Sequence, residues 1–145
     1  MELKIPPPLL FAIASLFIYL LPHSSIYFIP KFLSYILLLL AFLIGGMSVY
    51  TFWQVKTTLT PLDPKQTSQL VVKGIYRVSR NPMYLSLVLL LSALTIWLPS
   101  YGGLLIIIGF ILYLNRFQIM PEERALTEKF GQDFVSYQDK VRRWL

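Results

Sequence analysis

Two short patterns in this 145-residue sequence gather the side chains best suited to chemistry. The first is Gly74-Ile75-Tyr76-Arg77-Val78-Ser79-Arg80-Asn81-Pro82-Met83-Tyr84, where a polar stretch enters an apolar one. It brings two arginines, an asparagine and two tyrosines together. The second begins Pro121-Glu122-Glu123-Arg124-Ala125-Leu126, passes Phe130-Gly131 and Tyr137, and closes on Val141-Arg142-Arg143-Trp144. An arginine fork binds a carboxylate through two parallel hydrogen bonds. A pair of glutamates can hold an ammonium group or fix an arginine in place. The two patterns become one site only if the chain between them returns to its starting side.

The elements that must position them are apolar. Hydrophobic residues make up 56% of the chain and charged residues 14%, against about 45–50% and about 25% in soluble domains. The mean hydropathy is +0.63. Lipid is therefore the expected solvent. Four apolar segments stand out, at residues 8–21 (with a continuation over 26–29), 32–53, 83–98 and 101–120. A helix needs about 20 apolar residues to cross the hydrocarbon, and the second and fourth segments meet that length. Pro99-Ser100-Tyr101-Gly102-Gly103 allows only a tight antiparallel hairpin between the third and fourth. That hairpin returns the glutamates to the arginines. The apolar run after Lys4 lacks a small-residue cleavage site, so it reads as a retained first helix.

Charge then sets orientation. Lys4 precedes the first helix, and Lys31 stands alone in the first loop. Lys56, Lys65, Lys73, Arg77 and Arg80 lie in the second loop against Asp63, and the third loop carries no charge. Arg124, Lys129, Lys140, Arg142 and Arg143 follow the fourth helix. The bias of lysine and arginine toward cytoplasmic loops puts both termini and the long loop in the cytoplasm. That loop opens with Thr57-Thr58-Leu59-Thr60-Pro61 and Asp63-Pro64, and its apolar content argues against disorder. Leu70-Val71-Val72-Lys73-Gly74 reads as a short extended piece ending in a glycine turn. In the tail, Leu126, Phe130, Phe134, Tyr137 and Val141 form one helical stripe. Pro121 suits its first position, with Glu122 and Glu123 at the positive end of the dipole.

The expected fold is all-α: one membrane domain, residues 1–145, of about four transmembrane helices. Residues 1–53 hold two helices, 54–82 a cytoplasmic loop, 83–120 a helical hairpin and 121–145 an amphipathic helix. Gly45-Gly46 suits close helix packing, and Arg116 suits snorkelling to the surface. Without cysteine, thiolate chemistry and disulfides are excluded, and one histidine, His23, rules out a site built on several. No metal is expected. No basic stretch interleaves with exposed aromatics, so no nucleic acid is expected either.

Arg80-Asn81-Pro82-x-Tyr84, then Glu122-Glu123-x-x-Leu126-x-x-x-Phe130-Gly131-x-x-Phe134-x-x-Tyr137 after one hairpin, resembles the isoprenylcysteine carboxyl methyltransferase family. Phospholipid methyltransferases share part of the pattern. The likeness runs from about Thr57 to Trp144, and the first two helices carry no motif. It implies a membrane methyltransferase using S-adenosylmethionine on a lipid or lipidated acceptor. It implies that Leu70, Val71, Gly74 and Tyr76 line the cofactor, that Asn81 and Pro82 touch it, and that Tyr84 closes the pocket. It implies catalytic roles for Arg80 and for Glu123 or Glu122. Asn81 stands where the best-known members have histidine, which keeps hydrogen bonding but loses a titratable ring. Two rival readings remain: an NADPH-dependent membrane reductase of similar helical layout, and a non-catalytic helical membrane protein. The acceptor, and a homo-oligomer built through the first two helices, are left open.

Overall fold

The computed structural model describes residues 5–23, 29–55 and 69–145. The expectations for Lys4, Lys56, Asp63 and Lys65, for the loop opening at residues 57–61, and for a first-helix continuation over 26–28 lie outside the described residues.

Among the described residues six α-helices follow one another: α1 (Pro7–Leu20), α2 (Phe32–Val55), α3 (Pro82–Trp97), α4 (Tyr101–Leu114), α5 (Met120–Phe130) and α6 (Gln132–Lys140). A 3₁₀ turn at Gly74–Arg77 precedes α3, and a π turn at Asn115–Ile119 joins α4 to α5. No strand occurs among the described residues. The all-helical expectation holds. Among the described residues two helices, Phe32–Gln54 and Tyr101–Phe130, are long and apolar enough to cross a membrane, whereas Pro7–Leu20 and Pro82–Trp97 are apolar but shorter. Neither long helix is a buried core helix. Leu39, Phe42, Leu43, Leu105, Ile108 and Leu112 all face outward, as side chains do when lipid is the solvent.

Small residues let the helices approach, which is how bundles associate where lipid removes the hydrophobic drive between helices. α3 is central and packs on α1, α2 and α4. A Cβ on Gly45 of α2 would sit 3.2 Å from Ser86 Oγ, and one on Gly103 of α4 would sit 2.7 Å from Thr95 Cγ2 on α3. Gly46 meets nothing, so only one of the two adjacent glycines serves packing. Gly45 beside Ser86, and the edge-on Tyr35–Trp97 contact at 5.7 Å, set α2 and α3 antiparallel. Leu21 lies against Gly102, and Gln118 Nε2 donates to Ile5 O at 2.6 Å, so α1 and α4 are antiparallel too. The start of α1, the end of α2, the start of α3 and the end of α4 therefore share one end of the bundle.

Three sequence expectations change in detail. Pro121 does not start a helix. It lies inside a continuous 30-residue helix, Tyr101–Phe130, just after the π turn. Proline lacks an N–H and crowds the carbonyl four residues back, and a π turn at that place relieves the conflict. The tail is not one helix, because Gly131, at φ 52°, breaks it between α5 and α6. Its apolar stripe still forms one cluster: Phe134, Tyr137 and Val141 are buried, with Leu70, Leu126 and Phe130 packed on them. Finally, residues 70–72 are non-helical without pairing in a sheet, and the glycine turn that follows is a 3₁₀ turn opening on Gly74 at φ 58°.

Candidate functional site

The site forms at the shared end of the bundle. Pro82 opens α3 at its first turn, where a missing N–H costs nothing, and Arg80 and Asn81 lie just before it. From the other direction the continuous helix delivers Glu122 and Glu123 one turn past an apolar span that, counted as about 20 residues from Tyr101, ends near Met120. The hairpin does bring the acidic pair to the basic cluster.

Glu123 is held by two arginines. Arg80 Nη2 lies 3.1 Å from Glu123 Oε1. Arg143 donates through Nη2 to Oε2 at 2.6 Å and through Nε to Oε1 at 3.1 Å. The Arg80 and Glu123 side chains are 12% and 14% exposed, so the pair is largely shielded and weakly screened. Arg80 keeps two buried guanidinium nitrogens, Nε and Nη1, without an acceptor among the described residues. Buried donors of this kind are rarely left unmade.

Glu122 takes a different partner, the Tyr84 hydroxyl, which donates to its Oε1. Part of the Glu122 surface is open, yet protein encloses enough of the carboxyl to matter. Burial pushes its pKa up to about 8; Tyr84 opposes this and the Glu123 charge adds to it. The two adjacent glutamates thus differ in kind: Glu123 is an ion-paired carboxylate, and Glu122 a carboxyl that resists ionisation.

The remaining predicted residues divide into two groups. Asn81 donates from Nδ2 to Arg143 O at 2.9 Å and joins the cluster directly. Leu70, Val71, Gly74 and Tyr76 form a neighbouring layer between α2 and α6. Leu70 packs on the Phe134–Tyr137–Val141 cluster, and Val71 is buried. The Tyr76 hydroxyl meets Ser48 Oγ at 2.6 Å, and its carbonyl accepts from the Tyr137 hydroxyl at 2.6 Å. Tyr76 is close enough to Glu122 to feel its charge. Arg77 and Arg116 are exposed, and neither enters the cluster. A cleft of about 440 Å³ opens beside the clamp, lined by Met120, Glu123, Arg124, Thr127, Glu128, Gln138 and Arg143. Of the predicted site residues, only Glu123 reaches it.

Sequence reasoning missed Arg143 as a site residue and Ser48 and Asn115 as its supports. Arg143 stood in a basic run that reads as a membrane-surface anchor, and no spacing rule ties it to Glu123.

The profile of the phospholipid methyltransferase family matches residues 29–133. The chain belongs to that family. The match takes in α2, which carries no motif, and covers the whole path from Arg80 to Glu123. The family is one of methyltransferases, and with the lipid-facing helices it supports a membrane-associated enzyme. An uncharacterized protein of Haemophilus influenzae is 52% identical over 63 residues, which is 43% of this chain and 100% of that protein. No solved structure matches the chain.

Proposed function

We propose that this protein transfers a methyl group from S-adenosylmethionine to a lipid or lipidated acceptor at the cytoplasmic face of a membrane. Family membership supports methyl transfer and a phospholipid-like acceptor. The observation that carries the cofactor is Arg80, whose Nε and Nη1 are buried beside the Glu123 clamp without acceptors among the described residues. A carboxylate such as that of the cofactor's methionine part supplies the acceptors those donors lack. Glu123, already held by Arg80 and Arg143, fixes the arginine in place rather than meeting a cofactor ammonium. The residue types present therefore fit the group.

When bound, S-adenosylmethionine supplies a methyl group on a positively charged sulfur, ready for in-line displacement. The protein's own part is placement. Arg80 orients through its fork, and Tyr84 and Glu122 present a hydrogen-bonded wall. Leu70, Val71, Gly74 and Tyr76 offer a mostly apolar surface for an adenosine, with Asn81 and Pro82 fixing the turn between the two. Alignment of this sort can contribute about 7–11 kcal/mol to a displacement. An acceptor carboxylate needs no base. An acceptor amine must lose a proton, and Glu122 can receive it only in its ionised form, which burial makes the minor one near neutral pH.

The orientation follows from the basic residues gathered at the site end, Lys73, Arg77, Arg80, Arg142 and Arg143. With α1 and α3 also crossing, both termini lie in the cytoplasm. Exposed apolar faces reach the same end, so a lipid acceptor enters from the bilayer while the cofactor enters from water.

The deciding experiment is calorimetric binding of S-adenosylhomocysteine to detergent-purified protein, with Arg80→Ala and Glu123→Ala alongside. Micromolar binding weakened by either substitution supports the reading. Absence of binding in folded, monodisperse protein overturns it, and NADPH is then the next ligand to try.

A further inference from the structure

Residues 142–144 make four separate ties to the candidate site. The Arg80 N–H donates to Arg142 O at 3.0 Å, and Asn81 Nδ2 donates to Arg143 O at 2.9 Å. The Arg143 guanidinium takes both oxygens of Glu123. Trp144 Nε1 donates to Asn115 Oδ1 at 3.1 Å, and its ring packs on the core cluster that includes Leu91, Leu114 and Ile119. Asn115 opens the π turn, the same turn in which the buried Gln118 holds the Ile5 carbonyl. π turns concentrate at functional sites.

We infer that Trp144, bonded to Asn115, is a positioning residue that holds Arg143 in its two-point grip on Glu123 and so sets the Arg80–Glu123 pair. Arg143 is 37% exposed on its side chain, and an exposed arginine gives up much rotamer freedom to hold one geometry. Surface ion pairs gain little for that reason. A two-point grip persists where the backbone is already fixed. Here it is fixed on one side by the start of α3 and on the other by an indole anchored in the core. The π turn lies on the same continuous helix as Glu123, so the indole bond ties Arg143 to the element that carries its carboxylate.

The inference rests on the cofactor reading only in its binding arm. The test uses the full chain in detergent, labelled with ¹⁵N, and follows the Arg143 Nε–H resonance, assigned by its loss in Arg143→Lys. Trp144→Phe removes the indole donor and keeps an aromatic ring. Asn115→Leu removes the acceptor at similar size, and Asn115→Asp restores an acceptor. The expected result is an exchange-protected Arg143 signal in the wild type and in Asn115→Asp, lost or shifted in Trp144→Phe and Asn115→Leu. Affinity for S-adenosylhomocysteine falls about fivefold in the latter two, the scale of one net hydrogen bond, and recovers in Asn115→Asp. An Arg143 signal unchanged in both Trp144→Phe and Asn115→Leu overturns the proposal. So does loss of helicity in both, which would assign the bond to folding. If the signal responds as expected but no variant or wild type binds S-adenosylhomocysteine, the positioning role stands and the cofactor reading falls.

Discussion

Arg143 grips both carboxylate oxygens of Glu123, at 2.6 and 3.1 Å, from 20 residues further along the chain. Arg80 approaches the same carboxylate at 3.1 Å. One acid thus pairs with two guanidinium groups from different elements, and the trio keeps one positive charge in excess. Removing it should cost more than removing either arginine, because it leaves both cations without a counter-charge. Glu123→Ala is expected to destabilise by about 3 kcal/mol. Arg143→Ala, on the more exposed side, is expected to cost about 1 kcal/mol. Arg143→Lys should recover little of this, since an ammonium cannot make the fork. Thermal unfolding in detergent ranks the three, and a larger loss for Arg143→Ala than for Glu123→Ala would contradict the geometry.

Glu122 gives the fold a pH dependence of definite sign. Its pKa in the folded protein is about 8, raised from 4.5 chiefly by burial. The folded state therefore binds a proton that the unfolded state releases. Stability from this group is greatest at acid pH and falls as pH rises from about 4.5 through about 8. Glu122→Gln keeps a polar side chain that cannot ionise. Its melting temperature in detergent should exceed that of the wild type at pH 9, with the gap closing toward pH 5. A gap that widens toward pH 5 would reverse the sign.

Gly74 is fixed by conformation and by space together. Its φ is 58°, and an added Cβ would lie 2.9 Å from the Thr51 hydroxyl oxygen on α2. Gly74→Ala should cost about 1–2 kcal/mol from the backbone alone and more from the overlap. Adding Thr51→Ala should return only the overlap part. Equal stability of the single and double variants would show that the contact is not tight.

Ser48 and Tyr76 join α2 to the turn that leads into α3. Both are buried, and their hydroxyls are 2.6 Å apart. Ser48→Ala leaves the tyrosine hydroxyl without its partner and should cost about 1–3 kcal/mol. Tyr76→Phe on top of it should cost little more. A double-mutant cycle on unfolding measures the coupling, and simple additivity would mean that the bond contributes nothing.

The amino-acid sequence alone determined that the chain is helical, with runs long and apolar enough to cross a membrane. Composition points to lipid as the solvent, and the apolar runs mark the helices. The turn at Leu98–Ser100 had to be tight because proline and glycine leave no other choice between two such runs. It also determined that the acidic pair would return to the end of the bundle that holds Arg80, because one antiparallel hairpin brings the chain back there. What only the tertiary structure decided is which glutamate does which task. Glu122 and Glu123 are neighbours of the same type, and their difference comes from the side of the helix each faces: Tyr84 and buried surroundings for one, Arg80 and Arg143 for the other. The tail's path was equally hidden. A stripe at helical spacing reads as one helix, yet Gly131 breaks it while its apolar residues still meet, since packing depends on where side chains end rather than on an unbroken axis. Pro121 read as a helix start because the π turn that accommodates it has no sequence signature of its own. Arg143 belongs to the site through contacts to residues far away in the chain, and such contacts follow from packing rather than from spacing.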